Sequence, residues 1–142
     1  MKIQSYLVES PLFQLIGLQK NLDQKVLSLL KGQEVSFKEG LVLLTLLFEK
    51  KSIGPGELNE ALDFSKSQTS QILSKLEGAR LIKRNLGTED ARKISLELTS
   101  LGAVKANELI QTFEHLDQII EDKLGQKELR GLIRSVNILR DY

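Results

Sequence analysis

The stretch LIKRNLGTEDARKISLELT, from Leu81 to Thr99, decides the fold. LIKRNL is a short apolar and basic run, and KISLEL alternates apolar with polar residues, the period of a half-buried strand. Between them lies GTEDAR, a charged tip led by glycine. Two such runs joined by a tip of this kind form a β-hairpin. Hairpin tips are usually small and polar, so Arg92 at this one needs a reason.

Immediately upstream, SKSQTSQILSKLEGA begins at Ser65 and has helical spacing. Thr69, Ile72, Leu73 and Leu76 mark its buried side, which leaves Lys66, Ser67, Gln68, Gln71 and Lys75 pointing outward. Before it, ELNEALDF holds at most two helical turns, with Leu58, Ala61 and Leu62 as its apolar stripe. A helix, a short helix, a tight turn, a helix and a hairpin in that order make a winged helix-turn-helix.

The flanks are helical. Ser10 and Pro11 suit the N-cap and first position of a helix running to Lys31-Gly32. Ser36 and Glu39 form a capping-box pattern ahead of LVLLTLLF, so a second helix spans from Ser36 to about Lys51. It is apolar on most sides and belongs at the centre of the domain. SIGPG at 52–56 breaks it. After the hairpin, Thr99 caps a long helix over 100–123, Gly125 interrupts, and a last helix spans 126–140. The expected fold is mainly α with a small β-hairpin wing. Residues 1–142 form a single domain: a winged core at about 34–99 flanked by dimerisation helices at 1–33 and 100–142. The apolar stripes at 12–30, 101–120 and 129–139 exceed what so small a core can cover, and a two-fold dimer buries them.

The 142 residues carry a formal net charge of only +1. Residues 65–93, however, hold seven basic groups against three acidic ones, an excess of four, so the remainder is three negative. The positive charge therefore collects on the helix and hairpin that would face DNA, where it attracts phosphate. In the major groove Gln pairs with adenine, Ser with several bases, and Lys with guanine or phosphate. Lys66, Ser67, Gln68 and Gln71 occupy the first turns of their helix, the part that reaches base edges. Arg92 at the tip suits the narrow, negative minor groove. Lys75, Arg84 and Lys93 complete the DNA-facing candidates. Four of these have competing structural readings. Lys66 and Lys75 also suit an ordinary solvated helix face. Gln68 closes an S-x-x-Q capping box with Ser65, and Arg84 faces Glu89 or Asp90 across the hairpin as an ion-pair partner.

The segment ALDFSKSQTSQILSKLEGARLIKRNLGTEDARKISLELTSLG, Ala61 to Gly102, resembles the core of the MarR family of bacterial transcriptional regulators. Asp90-x-Arg92 followed by Leu98-Thr99 and Gly102 matches the family pattern D-R-R, strand, L-T-x-x-G. Leu76-Glu77 and Leu81-Ile82-Lys83-Arg84 match its L-E-x-x-G-L-I-x-R run. The flanking helices match in length and order alone. The resemblance implies a homodimer joined through its terminal helices, with one winged helix per half of a palindromic operator. It also implies repression relieved by a small phenolic or other aromatic effector. By motif, Arg92 is the minor-groove arginine and Asp90 the residue that fixes the wing. Two positions depart from the pattern. Ala91 replaces the middle arginine, which predicts narrower wing contact. Arg80 replaces the glycine before Leu81-Ile82, which predicts that Gly78 terminates the helix instead.

Other classes find less support. There is no cysteine, so disulfides and thiol metal or redox sites are absent, and the cytoplasm is the expected compartment. The N-terminus lacks the apolar run of a leader, and the eight-residue run LVLLTLLF at 41–48 falls far short of the about 20 that span a bilayer. No Ser/His/Asp set, carboxylate pair or glycine-rich phosphate loop marks an enzyme. His115, the only histidine, suits packing or an interface better than a metal, and no cofactor is expected. Phe13, Phe37, Phe48, Phe64 and Phe113 read as core. The competing function is a winged-helix module that binds protein, its basic face incidental.

Overall fold

Each apolar period becomes the element its spacing predicts. The computed structural model describes residues 2–49, 51–87 and 93–141. Helices α1 (Lys2–Glu9) and α2 (Pro11–Leu30) lead into α3 (Phe37–Phe48), α4 (Pro55–Leu62) and α5 (Lys66–Gly78). Strands β1 (Ile82–Leu86) and β2 (Ile94–Leu98) pair antiparallel, and α6 (Ser100–Arg140) closes the chain. Helix α1 lies ahead of the first helix expected from the sequence. Ser10 sits at the N-cap of α2 but makes no side-chain cap bond. Helix α3 ends at Phe48, three residues short of its expected limit. Gly125 breaks α6 as its residue type predicts, with φ 75° and ψ 166°.

The core lies where α3, α4, α5, the hairpin and the first turns of α6 meet. Val42 and Leu43 of α3, Leu58 of α4, Leu73 and Leu76 of α5 and Leu109 of α6 lose nearly all contact with solvent. Only Leu58 of the α4 stripe is fully buried, and Ala61 is exposed, because two turns present a narrow face. The aromatic residues also depart from expectation. Phe13, Phe37 and Phe48 are exposed, and Phe64 and Phe113 pack at the core margin. Branched aliphatic side chains fill so thin a core, leaving the wide rings at its edge, where Phe37 meets Phe113 edge-on at 5.9 Å.

The hairpin is tied to the core at both ends. Its register runs from Ile82 opposite Leu98 to Leu86 opposite Ile94. Ile82 and Leu96 point inward and are buried. Leu96 also donates to the Ile53 carbonyl at 2.8 Å, which adds a one-residue bridge to the sheet. At the tip end, the Gly87 N–H donates to the Lys93 carbonyl at 2.7 Å. The junction with α5 is a Schellman cap. Arg80 N–H donates to Glu77 and Leu81 N–H to Leu76, at 3.0 and 2.9 Å. Arg80 itself takes the left-handed conformation, φ 60°. Gly78 is the last helical residue and not the terminator predicted from sequence. The cap pattern fixes which residue must turn left-handed, and the chain accepts arginine there at a cost of about 1 kcal/mol.

Candidate nucleic-acid interface

Helix α5 is aimed by its first turn. Asp63 ends α4 in a left-handed conformation, φ 53°, and turns the chain toward Ser65. Ser65 Oγ accepts the Gln68 N–H at 3.1 Å, and Gln68 Oε1 accepts the Ser65 N–H at 3.2 Å. The capping reading of Gln68 is therefore realised, and its amide nitrogen is what remains for a base. Lys66, Ser67, Gln71 and Lys75 are exposed, as the helical spacing predicts. Ser70 and Ser74 share that outer side, a row the sequence reading overlooked although Ser67, Gln71 and Ser74 follow helical spacing. Lys38 was overlooked too. Its ammonium lies 5.6 Å from the centroid of the Phe64 ring, beside the turn that starts α5. Twenty-odd residues of intervening chain hide that proximity from any local motif.

Several of the basic groups are already engaged. Lys75 Nζ donates to Glu39 Oε1 at 2.8 Å. Lys83 pairs with Glu97 across the hairpin at 3.1 Å. Arg84 is half-buried, its Nε 3.4 Å from Glu77 Oε2, so it has a partner on α5; Glu89 and Asp90, named from sequence, lie outside the described residues. Glu39 and Glu97 lie outside the 65–93 window, and folding brings both onto the basic surface. The positive excess facing outward is thus smaller than the linear count. Exposed Lys66 and Arg80 form no ion pair among the described residues, and Lys93 is exposed as well. Asp90, Ala91 and Arg92 lie outside the described residues.

The base of the wing is tightly built. Thr99 Oγ1 donates to the Arg80 carbonyl at 2.6 Å and accepts the Gly102 N–H at 3.0 Å, while Thr99 N–H donates to the Leu81 carbonyl at 3.1 Å. One threonine joins the α5 cap, the hairpin and the start of α6. On the wing face, the Glu97 carboxyl is held below its usual range by a hydrogen bond from the Asn85 side chain, then by Lys83.

Behind α5 lies a cavity of about 330 Å³ lined by Pro55, Asn59, Lys66, Thr69 and Arg84, among others. Asn59 Oδ1, Thr69 Oγ1 and Arg84 Nε are buried there with no hydrogen-bond partner among the described residues. A second cavity, about 500 Å³, opens between α2 and α6 and is lined by Gln33, Glu108, Thr112 and His115. Among the described residues no group of three or more His, Cys, Asp or Glu side chains could hold a metal ion, and no helix is long and apolar enough to cross a membrane.

The model of the MarR family matches residues 39–94, from the start of α3 into the hairpin. Over those residues the winged core is similar to the MarR family. Regulators of that family bind DNA and are not enzymes. Solved structures share the fold over nearly the whole chain. The Staphylococcus aureus MepR–DNA complex superposes with a TM-score of 0.85 at 18% identity, covering 93% of this chain and 97% of that one. MepR bound to ethidium bromide gives 0.61 at 18% identity, covering 93% and 95%. The haem sensor PefR from Streptococcus agalactiae, solved with haem, gives 0.71 at 24% identity, covering 92% of each. No curated protein sequence matches this chain.

Proposed function

We propose that this MarR-family regulator is a homodimeric repressor in the cytoplasm that binds a palindromic operator. Helix α5 lies in the major groove and the wing in the minor groove. The observation that carries this reading is the exposed polar row on α5, with Lys66, Ser67, Ser70, Gln71 and Ser74 beside a basic hairpin. Lys66, Ser67, Gln71 and the free amide nitrogen of Gln68 address bases or phosphate, and Arg84 and Lys93 supply charge on the wing. Arg92 enters the minor groove, and Asp90 fixes the wing around it. The fold shared with DNA-bound MepR supports the orientation.

The arms support the dimer. Helix α2 buries only Leu30, while Leu12, Phe13, Leu15 and Ile16 stay exposed. Leu132, Ile133, Val136 and Leu139 of α6 are exposed too. So much apolar surface needs a partner, and a second copy supplies it while spacing two α5 helices about one DNA turn apart.

Release comes from a small ligand in the cavity behind α5. Thr69 and Asn59 suit the hydroxyl of an aromatic ligand, and their orphaned oxygens gain partners when it binds. The MepR structure bound to ethidium bromide supports an aromatic ligand. A second reading rests on His115, the chain's only imidazole, in the cavity between α2 and α6. PefR binds haem, and a single histidine can hold haem iron. Haemin titration separates the two: a Soret shift lost in His115→Ala favours haem.

The test of the main reading is fluorescence anisotropy on DNA from just upstream of the protein's own gene, with scrambled DNA as control. Wild type and Arg92→Ala are titrated at two salt concentrations. Specific binding that falls with salt and weakens in Arg92→Ala is the expected result. Specific binding untouched by Arg92→Ala would sink the wing assignment. An absence of specific DNA, even after selection from genomic fragments, would favour the protein-binding module.

A further inference from the structure

Lys75 looks like a phosphate contact by charge and exposure, yet its partner is unusual for a surface lysine. Glu39 is only 6% exposed. Both of its carboxylate oxygens are engaged: Oε2 accepts the Ser36 N–H at 3.1 Å, and Oε1 accepts Lys75 at 2.8 Å. A carboxylate buried this far cannot lose a partner without leaving an uncompensated charge behind. The acid also sits in the first turn of α3, whose next residue, Gly40, lies against Leu109 of α6. Lys75 is in the last turn of α5. One buried acid therefore links the N-terminus of the central helix to the C-terminal turn of the outward-facing helix. At the other end of α5 its own capping box and the turn from α4 hold it.

We propose that Lys75 is a positioning residue and not a DNA contact: Glu39 grips it from α3, and this pair sets the angle at which α5 meets the operator. The inference rests on α5 being the DNA-reading helix. It assigns Lys75 and Glu39 to specificity, since moving a helix by a fraction of an ångström misplaces side chains against base edges but leaves phosphate attraction in place.

Two models make opposite forecasts for the same variants. In Glu39→Gln the amide oxygen still accepts the Ser36 N–H, so the cap survives while the charge pairing is lost. Lys75→Met keeps the apolar stem. Wild type, both single variants and the double variant are titrated on operator and on scrambled DNA across a salt series, with thermal melting as a check on folding. Positioning predicts that each single variant lowers the preference for operator by about tenfold, a change of about 1.4 kcal/mol. It predicts an unchanged salt slope on scrambled DNA and a double variant no worse than either single one. Lys75→Arg, which keeps the cation, restores the preference even if Lys75→Met melts early.

A phosphate contact predicts otherwise. Lys75→Met would weaken operator and scrambled DNA alike and reduce the salt slope by about 0.9, while Glu39→Gln would free the lysine and tighten both. That outcome overturns the inference and leaves the regulator standing. A wild type that shows no operator preference removes the DNA-reading assignment and this inference with it.

Discussion

Gly102→Ala tests the junction on which the wing depends. Gly102 is buried in the first turn of α6, against the backbone of residue 81. A Cβ at this position would stand 2.8 Å from the Leu81 carbonyl carbon, 3.3 Å from its Cα, and closer still to its oxygen. Ordinary contact begins near 3.4 Å, so something must move. Leu81 cannot yield freely, because its N–H is bonded to Leu76 and its carbonyl to the Thr99 N–H, at 2.9 and 3.1 Å. Overpacking against a fixed backbone costs about 1–3 kcal/mol, and losing the Thr99 bond costs about 1 kcal/mol more. Alanine's helix propensity returns about 1 kcal/mol. The net is a destabilisation of about 2 kcal/mol, or about 6 °C in melting temperature for a chain of this size. The assay is thermal and urea unfolding by circular dichroism at a fixed protein concentration, since the proposed dimer would make the midpoint concentration-dependent. Gly78→Ala is the control. Nothing lies within 4 Å of its added Cβ, so it should be neutral or gain up to about 1 kcal/mol. A Gly102→Ala protein within about 0.5 kcal/mol of wild type would refute the close approach and the reasoning built on it.

Further outcomes follow from the same contacts. Thr99→Val removes the hydroxyl that serves both Arg80 and Gly102, and should cost about 1–2 kcal/mol in urea unfolding; an unchanged midpoint would show that the hydroxyl contributes nothing. At the left-handed Arg80, a β-branched Arg80→Val should be about 1–2 kcal/mol less stable than Arg80→Gly. Equal midpoints would contradict that conformation. Leu43→Ala opens a cavity beneath a fully buried side chain and should lose about 2–5 kcal/mol, with a loss below 1 placing the core elsewhere. The Glu97 carboxyl has a lowered value in the folded state, so its stabilising effect is complete above the unfolded value and fades as pH falls through the folded one. The melting difference between wild type and Glu97→Gln should therefore shrink on acidification from about pH 6 to about pH 3; a growing difference would reverse the sign.

Much of this was legible in order and period alone. The alternation in KISLEL, the helical spacing of Thr69, Leu73 and Leu76, and the capping boxes at Ser36 and Ser65 each depend on neighbours within four residues. Such local rules act before the chain is compact, and they placed the helix-turn-helix and its wing correctly. The outward row on α5 follows from the same geometry.

Other features depend on which distant residues meet, and no period encodes that. Glu39 reads as a cap residue in sequence, and it is; only packing makes it the partner of Lys75 as well. Arg84 stands seven residues beyond Glu77 in sequence, yet the turn from α5 into the strand brings the two within 3.4 Å. The aromatic residues looked like core because they are large and apolar, whereas the core between α3, α5 and α6 fits branched aliphatic side chains. The helix terminator moved from Gly78 to Arg80 because the hydrogen bonds of the cap choose the left-handed residue by position, and composition only sets its cost. Sequence thus determined the elements and their exposed faces through short-range sterics and periodic burial. Tertiary structure alone decided which charges are neutralised and which remain for DNA, because an ion pair forms wherever folding leaves two side chains within reach, however far apart they lie along the chain.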